Sequence, residues 1–101
     1  MKDSEKAKFI VDLVKAKVHF ATTEHINHSA NLASTQKGYE LWEKQRERED
    51  VVGAFDHNPY KVEAAREVVK TSLARKMEYE EILDYAIQTF LNKLDKETSN
   101  A

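Results

Sequence analysis

Only three residues in this chain of 101 readily interrupt a helix: Gly38, Gly53 and Pro59. Reversals of chain direction lean on Gly for positive φ and on Pro for a fixed φ, so this scarcity allows few turns. The three do not act alike. Gly38 lies in a run with helical spacing on both sides, where it costs about 1 kcal/mol relative to Ala and is tolerated or produces a mild kink. Gly53 stands within Val51-Val52-Gly53-Ala54-Phe55, followed by Asp56-His57-Asn58-Pro59. Asn58 as N-cap with Pro59 at the first helical position is the strongest local signal in the sequence.

The spacing therefore predicts an all-α protein with one clear reversal. It is expected to be a long helical hairpin forming a single domain over residues 1–101. Its first arm covers about 4–49, the turn 50–58, the second arm about 59–96, and a frayed tail 97–101. Arms of that length span on the order of 55–70 Å. Two such helices bury only one seam, a marginal core, so a dimeric helical bundle is expected. A monomeric bundle of three or four shorter helices is the other architecture that the pattern allows.

Along the first arm, Asp3 or Ser4 is placed to cap the free N–H groups. Phe9, Ile10, Leu13, Val14, Phe20 and Ala21 follow with helical spacing, interrupted by Lys17. Residues 21–36 are rich in Thr, Ser and Asn, which compete with the backbone for hydrogen bonds in helix interiors. The arm either runs through this stretch or breaks near Thr22-Thr23. The absence of Pro and Gly favours continuity. On the second arm, Val62, Ala65, Val69 or Val68, Ser72, Leu73 and Lys76 lead into an amphipathic pattern. That pattern comprises Tyr79, Ile82, Leu83, Ala86, Ile87, Phe90, Leu91 and Leu94.

Composition narrows the function classes. No Cys is present, which removes disulfides, thiolate zinc sites and a thiol nucleophile. The lack fits a reducing cytosol, and the charged Met1-Lys2-Asp3-Ser4-Glu5 opens no signal-peptide pattern, so a cytoplasmic protein is expected. The longest apolar run, 51–55, is too short to cross a bilayer. The net charge of −2 is not that of a DNA-coating protein. Charge is nevertheless uneven: residues 61–76 hold five Lys/Arg against two Glu, and residues 77–97 hold six Asp/Glu against two Lys.

Each chemical candidate has a plainer structural reading. His25 and His28 lie three apart with Glu24 one turn before His28, a minimal metal set that also suits a polar helix interface. Among carboxylates, Glu40, Glu43, Glu47 and Asp50 form one ladder and Glu78, Glu81 and Asp84 another. Converging ladders can hold Mg²⁺ against a nucleotide's phosphates. In these acidic residues at helical spacing alone, the chain resembles all-α nucleotide pyrophosphohydrolases of the MazG type. The resemblance implies a Mg²⁺-dependent hydrolase. The separation of the two ladders, about 35 residues, departs from that family's motif, and Lys44, Arg46 and Arg48 interleave the first. Lys61, Arg66, Lys70, Arg75 and Lys76 are candidates for phosphate contacts, as in a nucleic-acid-binding regulator. No nucleophile elbow and no Gly-rich phosphate loop is present.

Large rigid aromatics remain: Tyr39, Trp42, Phe55 and Tyr60 near the reversal. They serve either as a core plug or as anchors for a partner. With His25, His28 and Asn31 they form the candidate partner-binding set. The expected function is a non-enzymatic interaction module that self-associates and binds another protein. Phage and mobile-element accessory proteins such as inhibitors, antitoxins and regulators offer a class-level analogy. No cofactor, metal or membrane partner is expected.

Overall fold

The computed structural model describes the backbone of residues 1–47 and 59–99, and the side chains of 1–44 and 59–99. The expected turn over 50–58, with Phe55, lies outside the described residues. Two helices, α1 over Asp3–Glu47 and α2 over Pro59–Ser99, account for the described chain, which is a helical hairpin without strands among those residues. It divides into two units: residues 1–23 with 73–101, and residues 24–72.

α1 runs without interruption through 21–36, as the lack of breakers predicts. The hydroxyls that compete for backbone bonds are absorbed locally. Thr22 Oγ1 donates to the Val18 carbonyl (2.8 Å), Thr23 Oγ1 to His19 (3.1 Å) and Thr35 Oγ1 to Asn31 (2.8 Å). Each reuses a carbonyl one turn back, so the helix ladder is left in place. α2 is likewise continuous, and Thr71, Thr89 and Thr98 make the same bond to Glu67, Tyr85 and Leu94.

Gly38 is helical, and a Cβ added there would meet nothing within 4 Å. Gly38→Ala is therefore expected to stabilise the protein by about 1 kcal/mol, through the reduced freedom of the unfolded chain and the better propensity of Ala. A urea melt at fixed protein concentration checks this. A loss of stability would mean that the site is closed.

Most of the buried and half-buried residues repeat every three and then four positions. On α1 they include Ser4, Ala7, Val11, Val14, Val18 and Ala21, then His25, His28, Leu32, Thr35, Tyr39 and Trp42. On α2 the series is Val62, Ala65, Val69 and Ser72, then Lys76, Tyr79, Leu83, Ala86, Phe90, Lys93 and Glu97. This is the seven-residue repeat that keeps one stripe of each helix on a common seam. The most buried members are small: Ser4, Ala7, Val11, Ala21, Ala65, Ser72 and Ala86.

Tyr79, Leu83, Ile87 and Phe90 are half-buried as expected, but several other large apolar residues expected inside lie outside instead. Phe9 is 59% exposed, Leu13 54% and Phe20 68%, and Ile10 is also exposed. On α2, Leu73, Ile82, Leu91 and Leu94 are exposed as well. Small residues at the seam let two helix backbones approach closely and gain contacts along their length, which the bulkier stripe would prevent.

The start of α1 also differs from expectation. Neither Asp3 nor Ser4 is the acceptor that satisfies the first N–H groups. Lys6 N–H bonds back to the Lys2 carbonyl (3.1 Å), and the Ser4 N–H and Oγ both donate to the Glu97 carboxylate, at 3.1 and 2.5 Å. A carboxylate here meets orphan donors and the positive end of the helix dipole together. Glu97 is helical, and α2 extends to Ser99, three residues past the expected end of the second arm.

These two bonds hold the Glu97 carboxyl below its usual range, the side-chain bond from Ser4 first and the backbone bond second. A carboxyl lowered in the folded state contributes stability above its unfolded value, and loses it as pH falls through the folded one. The stability advantage of the wild type over Glu97→Gln is thus expected to be full at pH 7 and to shrink toward zero below about pH 4. Thermal melts of both proteins across that window test it; a constant difference would contradict the role given to Glu97.

Candidate interaction surfaces

The unit of residues 24–72 carries the described members of the expected partner-binding set. His25 is placed by α1 against Ser72 of α2, with Nδ1 3.1 Å from Ser72 Oγ. The Ser72 hydroxyl has one proton, and it points to the Val69 carbonyl at 2.9 Å. With that proton on the Val69 carbonyl, the Nδ1–H tautomer of His25 donates to Ser72; in the other tautomer Nδ1 accepts from the Ser72 hydroxyl instead. This assigns His25 a structural bond across a buried serine.

His28, three residues on, turns instead to a groove of 690 Å³. Asn31, Ser34, Thr35 and Gly38 line its α1 wall, and Lys61, Ala64, Ala65 and Val68 its α2 wall. His28 and Asn31 were expected at a surface from their polarity. Ser34, Gly38 and Ala64 carry no such signal except small size at helical spacing, which opens the groove.

A second groove, of 410 Å³, lies between Tyr39, Glu40 and Glu43 on α1 and Pro59, Val62, Glu63 and Arg66 on α2. Tyr39 and Trp42 are half-buried, with ring centroids 6.0 Å apart and planes tilted by 36°. That is within the range of favourable aromatic pairs. Tyr60 is 79% exposed and occupies the first turn of α2.

The basic candidates do not form one stripe. By their place in the repeat, Lys61 and Arg75 fall on one flank of α2, Arg66 and Lys70 on the other, and Lys76 at the half-buried seam. Three have carboxylate neighbours on the same helix: Arg66 with Glu63 (3.6 Å), Lys70 with Glu67 (3.4 Å) and Lys76 with Glu80 (3.8 Å). Such exposed pairs contribute little stability, but they offset charge that a phosphate would use.

The acidic candidates are distributed as follows. Glu40 and Glu43 are exposed beside the second groove, and Glu78, Glu81 and Asp84 are exposed on α2 in the other unit. Among the described residues, no group of three or more His, Asp or Glu side chains is gathered as a metal site. Glu47 and Asp50 fall outside the described side chains.

Fold and surfaces together define a two-helix hairpin with small residues at its most buried positions, open grooves in the unit of residues 24–72 and exposed apolar side chains in both units. No protein-family model matches the chain, and no curated protein or solved structure matches it either. Among the described residues no helix is long and apolar enough to cross a membrane.

Proposed function

We propose that this chain is a small non-enzymatic interaction module that self-associates and binds another protein as an inhibitor, antitoxin or regulator. The observation that carries this reading is the outward placement of its large apolar side chains. Phe9, Leu13, Phe20, Met77 and Tyr85 are each more than half exposed. Grouped apolar side chains of this size mark surfaces that meet other molecules.

The partner protein is assigned to the unit of residues 24–72, where the Tyr39–Trp42 pair and Tyr60 offer rigid anchors beside polar grooves. A protein is favoured over a nucleic acid because Arg66, Lys70 and Lys76 each have a glutamate within 4 Å. The test is affinity capture from the native host, with tagged wild type beside a Trp42→Ala/Tyr60→Ala variant. A protein retained by the wild type and lost by the variant is the expected result. Equal retention would remove these aromatics from the interface. Salt-sensitive retardation of DNA or RNA by the purified chain would replace the reading by that of a nucleic-acid-binding regulator.

A further inference from the structure

The outer face of α1 in the unit of residues 1–23 and 73–101 carries a second regular stripe. Phe9, Leu13, Ala16 and Phe20 follow one another at four, three and four residues, the same repeat that builds the seam. The stripe lies on the far side of α1 from Ala7, Val11, Val14 and Ala21, so α2 does not cover it. All four residues are exposed, and Ile10 at its edge is too.

We infer that this stripe is the contact between two copies of the chain, packed α1 against α1 in the same direction. The inference rests on the self-association named above and gives it a location. Three features select a second copy as the occupant. A repeat of this kind fits another helix with the same repeat, and an isologous contact supplies one without a separate partner.

Area is the second. The chain exposes 7871 Å², whereas a compact monomer of its 11.7 kDa exposes roughly 5,900 Å². The excess, roughly 2,000 Å², exceeds the roughly 800 Å² per partner that a standard interface covers.

Charge is the third. Asp12 lies along one edge of the stripe and Lys17, five residues later, along the other. Two helices aligned in the same direction bring such a pair together across the contact twice, Asp12 of each copy beside Lys17 of the other. Asp12 also has Lys8 at 3.7 Å within its own chain. That ion pair is exposed and leaves carboxylate lone pairs for a second partner.

Light scattering coupled to size-exclusion chromatography, at matched micromolar concentrations, tests the assignment. The wild type is expected at about twice the 11.7 kDa monomer mass. Leu13→Glu/Phe20→Glu is expected at the monomer mass with unchanged circular dichroism, its dimerisation weakened roughly thirtyfold or more. The control Leu91→Glu/Leu94→Glu, on another face, is expected to remain dimeric. Asp12→Lys and Lys17→Asp should each weaken the dimer, and the double exchange should restore it.

A dimer that survives Leu13→Glu/Phe20→Glu overturns the inference and leaves self-association standing, as does a control that dissociates while the stripe variant does not. A double exchange that fails to restore the dimer overturns the parallel alignment. A wild type that is monomeric across micromolar concentrations overturns both the inference and the reading beneath it.

Discussion

Thr23→Pro is expected to destabilise the protein by about 3 kcal/mol or more. Thr23 is exposed and its hydroxyl bonds only the His19 carbonyl of its own helix, so almost the whole effect comes from the backbone. A proline there removes one N–H from the helix ladder and drives its ring toward the carbonyl one turn back. Thr23→Ala separates the hydroxyl from the backbone and should change stability by no more than about 0.5 kcal/mol. Urea melts of the three proteins at one concentration decide the matter. Were α1 broken at Thr22-Thr23, proline would open a new helix at little cost. A small effect would therefore refute the continuous α1.

The second large effect is expected at the seam. Ala86 is 6% exposed and lies among the small residues that allow close approach of the helices. Ala86→Leu adds three carbons at this buried position and is expected to cost about 1–3 kcal/mol by overpacking. In a chain of this size each kcal/mol lowers Tm by roughly 4–8 °C. Ile82→Leu, at an exposed site four residues earlier, should be nearly neutral. If Ala86→Leu proved neutral or stabilising, the helices would be held apart by larger side chains, and the small-residue seam would be wrong. Fixed protein concentration matters in both experiments, because self-association adds its own stability.

The two experiments address different kinds of legibility. The identity of both helices was readable, because it depends on local chemistry: a long stretch before Gly53 whose one glycine, Gly38, a helix tolerates, and Pro59 at the first position of α2. Continuity through 21–36 was readable from the absence of Pro and Gly there. The bonds that make it possible, from Thr22, Thr23 and Thr35 to carbonyls one turn back, were not. The sequence shows that hydroxyls compete for backbone groups but does not show where they settle.

Seam identity was misleading in the sequence for a definite reason. α1 carries two stripes with the repeat of three and four. One contains Ala7, Val11, Val14 and Ala21; the other contains Phe9, Leu13, Ala16 and Phe20. A reading by apolar periodicity merges the two, taking Phe9, Leu13 and Phe20 together with Val14 and Ala21 as one face. The hairpin buries the first, because small side chains let the two backbones draw together. The half-buried positions also include His25, His28, Thr35 and Lys93, polar residues that apolar periodicity passes over. Of the candidate site, His28, Asn31, Tyr39 and Arg66 were legible as polar or aromatic residues near grooves. The grooves themselves were not, since they are spaces left by Ser34, Gly38, Ala64 and their neighbours.

By itself, then, the sequence determined two long helices and the position of one reversal, because breakers, caps and propensity act over a few residues. The tertiary structure alone decided which of the two stripes of α1 is covered, and that Glu97, near the other end of the chain, caps the start of α1. Those outcomes depend on how closely two helices approach and on which distant atoms that approach brings within hydrogen-bond reach. Residue spacing along one strand of sequence carries no record of either.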